Sequence, residues 1–162
     1  GSYGIRFFYK GPLKPVHVVT APHPEFMTDW QPLLAVLLTQ AEGVSTIHET
    51  VVESRFQYAS LLNQMGANTE LFEPEVENPD EVYQFPYDAT AEHLHGLKVH
   101  GPTNLHASTL DVPDIRAGAT LVLASMIAEG TTTLREIYHI ERGYEELDTR
   151  LQSMGAKIRR VE

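Results

Sequence analysis

The sequence predicts an α/β domain with helices inside and sheets outside, assembled from two tandem copies of one folding unit. Two observations carry this. An internal repeat runs through most of the chain, and each copy opens with a helix-length apolar run that has no polar face.

The repeat is legible in short identities. Ala41-Glu42-Gly43 recurs as Ala128-Glu129-Gly130, an offset of 87 residues. The same offset pairs Thr46 with Thr133, Glu49 with Glu136 and Arg55 with Arg142. Two residues more, an offset of 89, pairs Leu62 with Leu151 and Met65-Gly66-Ala67 with Met154-Gly155-Ala156. The order of elements matches as well, which is the mark of a duplicated structural unit.

Each copy begins with a helix. Thr28 is a candidate N-cap and Asp29 favours the first turn, ahead of Leu33-Leu34-Ala35-Val36-Leu37-Leu38, with Gly43 as the stop. In the second copy Asp114 stands near the start, Leu121 to Ala128 follow, and Gly130 ends the run. A helix that is apolar all round must be covered all round. The covers are β-branched alternating strands at residues 44–49 and 131–136, each followed by a second helix at about 55–65 and 143–154. Gly66 and Gly155 sit where left-handed caps belong. Short strands at 68–72 and 157–161 close the copies, and further strands fall at 16–20 and 97–100. Repeat one thus covers about 16–72 and repeat two about 97–162. Between them, residues 73–95 crowd Glu73, Glu75, Glu77, Asp80 and Glu81 with Pro74, Pro79 and Pro86, which reads as a solvated acidic insertion with a short strand near 82–85.

Composition narrows the function. The chain has 162 residues, 42% hydrophobic and 21% charged, the balance of an ordinary globular domain. The formal net charge of −10 opposes binding to nucleic acid or to anionic lipid. An arginine cluster in one cleft can still reverse the local field for a small anionic ligand. There is no cysteine, so thiolate chemistry and Cys-based metal sites are excluded within this segment. His93, His95, His100 and His106 lie close in sequence but lack a zinc-type spacing, so no metal and no cofactor is expected. No apolar run is long enough to span a bilayer, and the start lacks an apolar leader, which suggests a cytoplasmic protein. Gly1-Ser2 reads as a cloning scar, which would place Tyr3 inside a longer parent chain.

Three segments go further. They are Thr20-Ala21-Pro22-His23-Pro24-Glu25-Phe26-Met27-Thr28-Asp29, Glu49-Thr50-Val51-Val52-Glu53-Ser54-Arg55-Phe56, and Ile137-Tyr138-His139-Ile140-Glu141-Arg142-Gly143-Tyr144-Glu145. In this order they resemble the UDP-N-acetylglucosamine 1-carboxyvinyltransferase (enolpyruvyl transferase) family, over nearly the whole chain except 73–95. The resemblance implies two domains, each of three βαβαββ units around a pseudo-threefold axis, an inside-out α/β barrel of which this chain would be an incomplete C-terminal part. The insertion is longer than the family usually has. The implied reaction moves enolpyruvyl from phosphoenolpyruvate to the 3-hydroxyl of UDP-N-acetylglucosamine, a step toward peptidoglycan.

Site residues follow from the match. Asp29 aligns with the carboxylate that meets the sugar hydroxyl and is implicated as general base, a sensible role because the attacking hydroxyl must lose its proton. Read without the motif, it is a helix N-terminal aspartate favoured by the dipole. Val51 aligns with a contact to the nucleotide sugar, and alone it would be a core strand residue. Arg142 aligns with an arginine that reaches the phosphoenolpyruvate anion, for which a guanidinium's paired donors are suited. Arg55 and Arg116 align with further cleft arginines, and Asp114 with an acidic position linked to proton transfer or orientation. A lone surface arginine would otherwise be a weak ion pair. The offset also sets Asp29 opposite Arg116, so equivalent helix starts carry opposite charges, as a site handling both a proton and an anion would use.

The family's reactive cysteine and N-terminal lysine have no counterpart here. The resemblance therefore implies substrates UDP-N-acetylglucosamine and phosphoenolpyruvate, an N-terminal domain as the missing partner, and no activity for this chain alone. A truncated unit should also expose apolar helix surface and self-associate, as a twofold dimer. The alternatives are an acceptor such as shikimate 3-phosphate, or a non-catalytic interaction module of the same fold.

Overall fold

The computed structural model describes residues 4–88 and 90–161. Gly1-Ser2, read above as a cloning scar, lies outside them. The first unit is strand β1 (His17–Val19), a 3-10 turn (Thr28–Trp30), helix α1 (Gln31–Leu38), strand β2 (Gly43–His48), helix α2 (Gln57–Gln64) and strand β3 (Asn68–Phe72). After a short helix α3 (Pro79–Val82), strand β4 (Gly96–Gly101) completes it. The second unit is strand β5 (Thr109–Asp111), helix α4 (Ile115–Ile127), strand β6 (Thr133–Arg135), helix α5 (Tyr138–Glu141) and helix α6 (Leu147–Ser153).

The first sheet runs β1-β2-β4-β3. β1 and β2 are parallel, and β4 lies antiparallel between β2 and β3. That is a βαβαββ unit. β5 and β6 form a parallel pair that repeats β1 and β2. The backbone hydrogen bonds repeat residue by residue. Glu42 N donates to Leu13 O as Glu129 N does to Leu105 O, and Thr46 N to Val16 O as Thr133 N does to Ser108 O. Ala67 N donates to Leu62 O as Ala156 N does to Leu151 O. Gly66 and Gly155, with φ of 93° and 98°, take the left-handed caps.

Both apolar helices face the core. Ala35, Val36 and Leu38 of α1 join Leu121, Val122 and Ala124 of α4 in one cluster with Ile47, Leu97 and Val99 of the sheet. Cover is not complete, however. Leu37, Met126 and Ile127 are about half exposed. β4 meets the C-terminal end of α1 tightly at Gly101, where an added Cβ would lie 2.4 Å from Ala41 O and 2.8 Å from Leu38 O. Backbone oxygens cannot rotate away. Gly101→Ala is expected to lower unfolding stability by about 1–3 kcal/mol, read as a fall in the urea midpoint at unchanged slope.

Several local expectations are corrected. The strand foreseen at 82–85 does not form: Pro79 starts a helical turn there, and Tyr83 turns inward with 6% exposure. The insertion is not simply solvated. Tyr83, Phe85, Tyr87, His93 and His95 make a ring cluster that packs on His48 of β2. The strand at 157–161 is also unformed. In the first unit β3 bonds only to β4, and among the described residues the second unit has no counterpart of β4 to pair with. The helix foreseen at 143–154 begins at Leu147, after a break at Glu146 with φ of 46°.

Candidate functional site

The site forms where the parallel strands end and the next helices begin. Asp29 lies in the 3-10 turn ahead of α1, Val51 follows β2, and Arg55 precedes α2. Asp114 and Arg116 stand at the start of α4, and Arg142 follows α5. Helix N-termini carry partial positive charge, so this edge favours anions.

Asp29 and Arg55 are joined by an ion pair between Oδ1 and an Nη. The carboxylate is largely exposed while the guanidinium is 8% exposed. Arg55 therefore anchors a carboxylate that still faces solvent. Burial, and then the like charge of Arg116, push the Arg55 guanidinium below its ordinary value, while Asp29, Glu49 and Asp114 oppose the shift. All five groups thus share one electrostatic neighbourhood. Arg55 Nε is buried and has no partner among the described residues.

Asp114 caps α4, accepting from Arg116 N at 2.7 Å and Ala117 N at 3.0 Å. Its Oδ1 also lies 3.7 Å from Arg116 Nε. Asp114 is thus at once a cap and an orienter of Arg116, and the guanidinium remains about two-fifths exposed. Arg142 is exposed and has no ion pair among the described residues. Its neighbour Gly143 abuts Ile115, since an added Cβ would sit 1.8 Å from Ile115 Cδ1. That contact sets the backbone next to Arg142 against the start of α4, while the Arg142 side chain has no hydrogen bond to another site residue among the described residues.

Val51 donates its N–H to Glu49 Oε1 at 2.8 Å, so that backbone donor is already engaged. The expected helix cap at Thr28 is corrected too. Its hydroxyl donates to Glu49 Oε2 at 2.8 Å and caps nothing, because α1 is entered through a 3-10 turn instead.

The family model for EPSP synthase (3-phosphoshikimate 1-carboxyvinyltransferase) matches residues 4–151. The chain belongs to this EPSP synthase family. Curated relatives narrow the resemblance within it. The chain is 45% identical over 157 residues to the UDP-N-acetylglucosamine 1-carboxyvinyltransferase of Chlamydia muridarum, covering 96% of this chain and 34% of that protein. It is 46% identical over the same length to the Chlamydia abortus enzyme of that name, again covering 34% of it. Among solved structures, the enolpyruvyl transferase NikO from Streptomyces tendae matches with a TM-score of 0.73 and 35% identity, over 93% of this chain and 30% of NikO. The chain spans about a third of the length of the relatives it matches.

Two features of this EPSP synthase-family chain escape sequence reasoning. One is Glu49, given no site role above although it is a repeat mate of Glu136 and opens the second resembling segment; it is fully buried and gathers donors from three segments. A glutamate inside an otherwise apolar and hydroxylated stretch was the available signal. The other is the histidine cluster. His95 O accepts from Glu49 N, and Gln84 N donates to Thr50 O, so the insertion braces the loop that carries Val51. His93 Nδ1 and His95 Nε2 are 3.3 Å apart, and His48 Nε2 lies 3.2 Å from Tyr83 Oη. No group of three or more metal-ligating side chains forms among the described residues.

The cluster has a pH signature. Burial lowers the affinity of His48 for a proton, and His95 lowers it further, with Glu49 opposing. Burial lowers His95 likewise, then His93, against Glu53, Glu49 and Glu73. Both folded values lie below that of the unfolded chain, near 6.5. Below that pH the unfolded chain binds more protons, so stability falls as pH drops. The urea midpoint is expected to be flat between about pH 8 and 7 and to fall between about 6.5 and 5, with a shallower fall in His95→Phe. Equal slopes in both proteins would assign the effect elsewhere.

Proposed function

We propose that this chain supplies one wall of the active site of a UDP-N-acetylglucosamine 1-carboxyvinyltransferase. The full-length enzyme transfers enolpyruvyl from phosphoenolpyruvate to the sugar 3-hydroxyl and releases phosphate. Asp29 takes the hydroxyl proton as the oxygen bonds to C2 of phosphoenolpyruvate and C3 gains a proton from a group outside this chain; loss of a C3 proton and of phosphate then restores the double bond. Arg55 holds that carboxylate, Val51 contacts the nucleotide sugar through its backbone, and Arg116 and Arg142 face the phosphoenolpyruvate anion, with Asp114 orienting Arg116. The observation that carries this reading is the ion pair of an exposed Asp29 with a buried Arg55, on a chain whose relatives at 45% and 46% identity bear that enzyme's name.

The test is phosphate release by the full-length protein with phosphoenolpyruvate and either acceptor. Release with UDP-N-acetylglucosamine and none above blank with shikimate 3-phosphate is expected. The opposite pattern overturns the assignment. The 162-residue chain alone is expected to release none, because a single wall neither aligns the reactants nor excludes water.

A cytoplasmic location fits the proposed substrates; among the described residues no helix is long and apolar enough to cross a membrane. The partly exposed Leu37, Met126 and Ile127 favour self-association of the isolated chain as a twofold dimer, which light scattering would register as a doubled mass.

A further inference from the structure

Glu49 is the buried charge that the proposed chemistry leaves without a task. Its carboxylate is wholly buried and meets five donors. Thr20 Oγ1 and the N–H groups of Val51 and Val52 reach Oε1 at 2.9, 2.8 and 3.0 Å. Thr28 Oγ1 and Gln31 Nε2 reach Oε2 at 2.8 and 3.4 Å. The two backbone N–H groups and the Gln31 amide can only donate, so both carboxylate oxygens are called on as acceptors. Tyr58 adds a second layer, donating its hydroxyl to Gln31 Oε1.

The fold does not require this network, because the second unit closes the same place without it. Val112 N bonds to Arg135 O as Thr20 N does to His48 O, so Val112 stands where Thr20 stands. By the 87-residue offset, Ile115 replaces Thr28, Gly118 replaces Gln31 and Glu136 replaces Glu49. A Cβ on Gly118 would meet Ile140 Cγ1 at 2.5 Å and Val112 Cγ1 at 2.9 Å, so these two side chains fill the space. Glu136 is exposed, with φ of 57°. One backbone plan thus closes once over an apolar plug and once over a buried carboxylate. Apolar replacements of buried ionic groups are often neutral or stabilising, so the carboxylate is not explained by closure alone.

What the network holds is the acceptor side of the site. Thr28 immediately precedes Asp29, Gln31 lies two residues after it, and Val51 and Val52 form the loop beyond β2. We infer that Glu49 is a positioning residue that fixes Asp29 and the Val51 loop in register for the nucleotide-sugar acceptor. The inference rests on the function proposed above and adds a residue to it.

The test uses the full-length enzyme with Glu49→Gln. The amide presents an NH2 group where donors already point, so a donor in the network loses its acceptor. The KM for UDP-N-acetylglucosamine is expected to rise, and kcat/KM for it to fall, roughly ten- to a hundredfold. The KM for phosphoenolpyruvate should stay within about twofold, since its arginines lie on other segments. A purely structural loss would reduce the active fraction and lower kcat while leaving both KM values unchanged, and that result overturns the inference. Hydrogen exchange supplies a second readout: the Val51 and Val52 amides exchange faster in the variant, while Val99 in β4 does not. Unchanged exchange at Val51 and Val52 overturns the inference even if the wild-type enzyme proves to use another acceptor, in which case the functional reading falls separately. If Glu49→Gln does not fold, Thr28→Val removes one donor and keeps the carboxylate. It is expected to raise the acceptor KM several-fold in the same direction, and an unchanged acceptor KM there overturns the inference as well.

Discussion

In the full-length transferase, Asp29→Asn is expected to lower kcat by about 10²- to 10⁴-fold while the KM for UDP-N-acetylglucosamine changes little. The substitution is nearly isosteric. Asparagine keeps an oxygen for Arg55, so the buried guanidinium is not left wholly without a partner in its pocket. On the proposed mechanism it loses the capacity to take a proton at the moment the sugar oxygen attacks. An interaction needed only in the transition state shows in kcat and not in KM. The exposed face of the carboxylate would leave it available for that proposed step. Steady-state kinetics with each substrate varied in turn measures the split, and calorimetry with the nucleotide sugar checks that binding survives. A kcat within about threefold of the parent would remove Asp29 from the proton transfer. The partner arginine gives a different signature. Arg55→Met would leave Asp29 without its anchor and should disturb both constants, so the two variants separate chemistry from placement.

Much of this was legible before any coordinates, and for identifiable reasons. The duplication could be read because its identities fall where backbone geometry leaves little choice. Gly66 and Gly155 occupy left-handed caps, and Thr46 and Thr133 take equivalent places beside the first strand of each unit. The pairing of opposite charges at equivalent helix starts, Asp29 against Arg116, likewise follows from the offset, and both residues do lie around Arg55. The insertion was misread because its glutamates and prolines dominate the composition. Its rings recur at every second residue, at 83, 85 and 87 and again at 93 and 95, a period that reads as a strand and does not announce that Tyr83, His93 and His95 gather in one cluster beside His48. The strand at 157–161 failed for the opposite reason. Its local pattern is adequate, but a strand needs a partner, and partnership is a property of the sheet and not of the segment. Glu49 was hidden by the general rule that glutamates are exposed, which gives way where donors converge.

The largest stability effect is expected at Leu121, and its repeat mate sharpens the test. Leu121→Ala should lower the unfolding free energy of the 162-residue chain by about 2–5 kcal/mol, while Leu34→Ala should lower it by distinctly less. The two leucines are equivalent under the 87-residue offset, so helix propensity and local sequence position do not distinguish them. Their surroundings do. α4 packs against α1, α2 and α5, and Leu121 midway along it is wholly buried. α1 packs against α4 and the sheet, and Leu34 is only partly covered. Deleting methyl groups from an enclosed site leaves a cavity with no route to collapse, whereas a half-covered site loses less transfer free energy and can relax toward solvent. Urea unfolding of both variants at low protein concentration measures the difference. Should the two losses be equal, α1 must be as fully enclosed as α4 in solution. The cover would then come from a second copy of the chain, and the gap between the variants should reopen on dilution as that dimer dissociates.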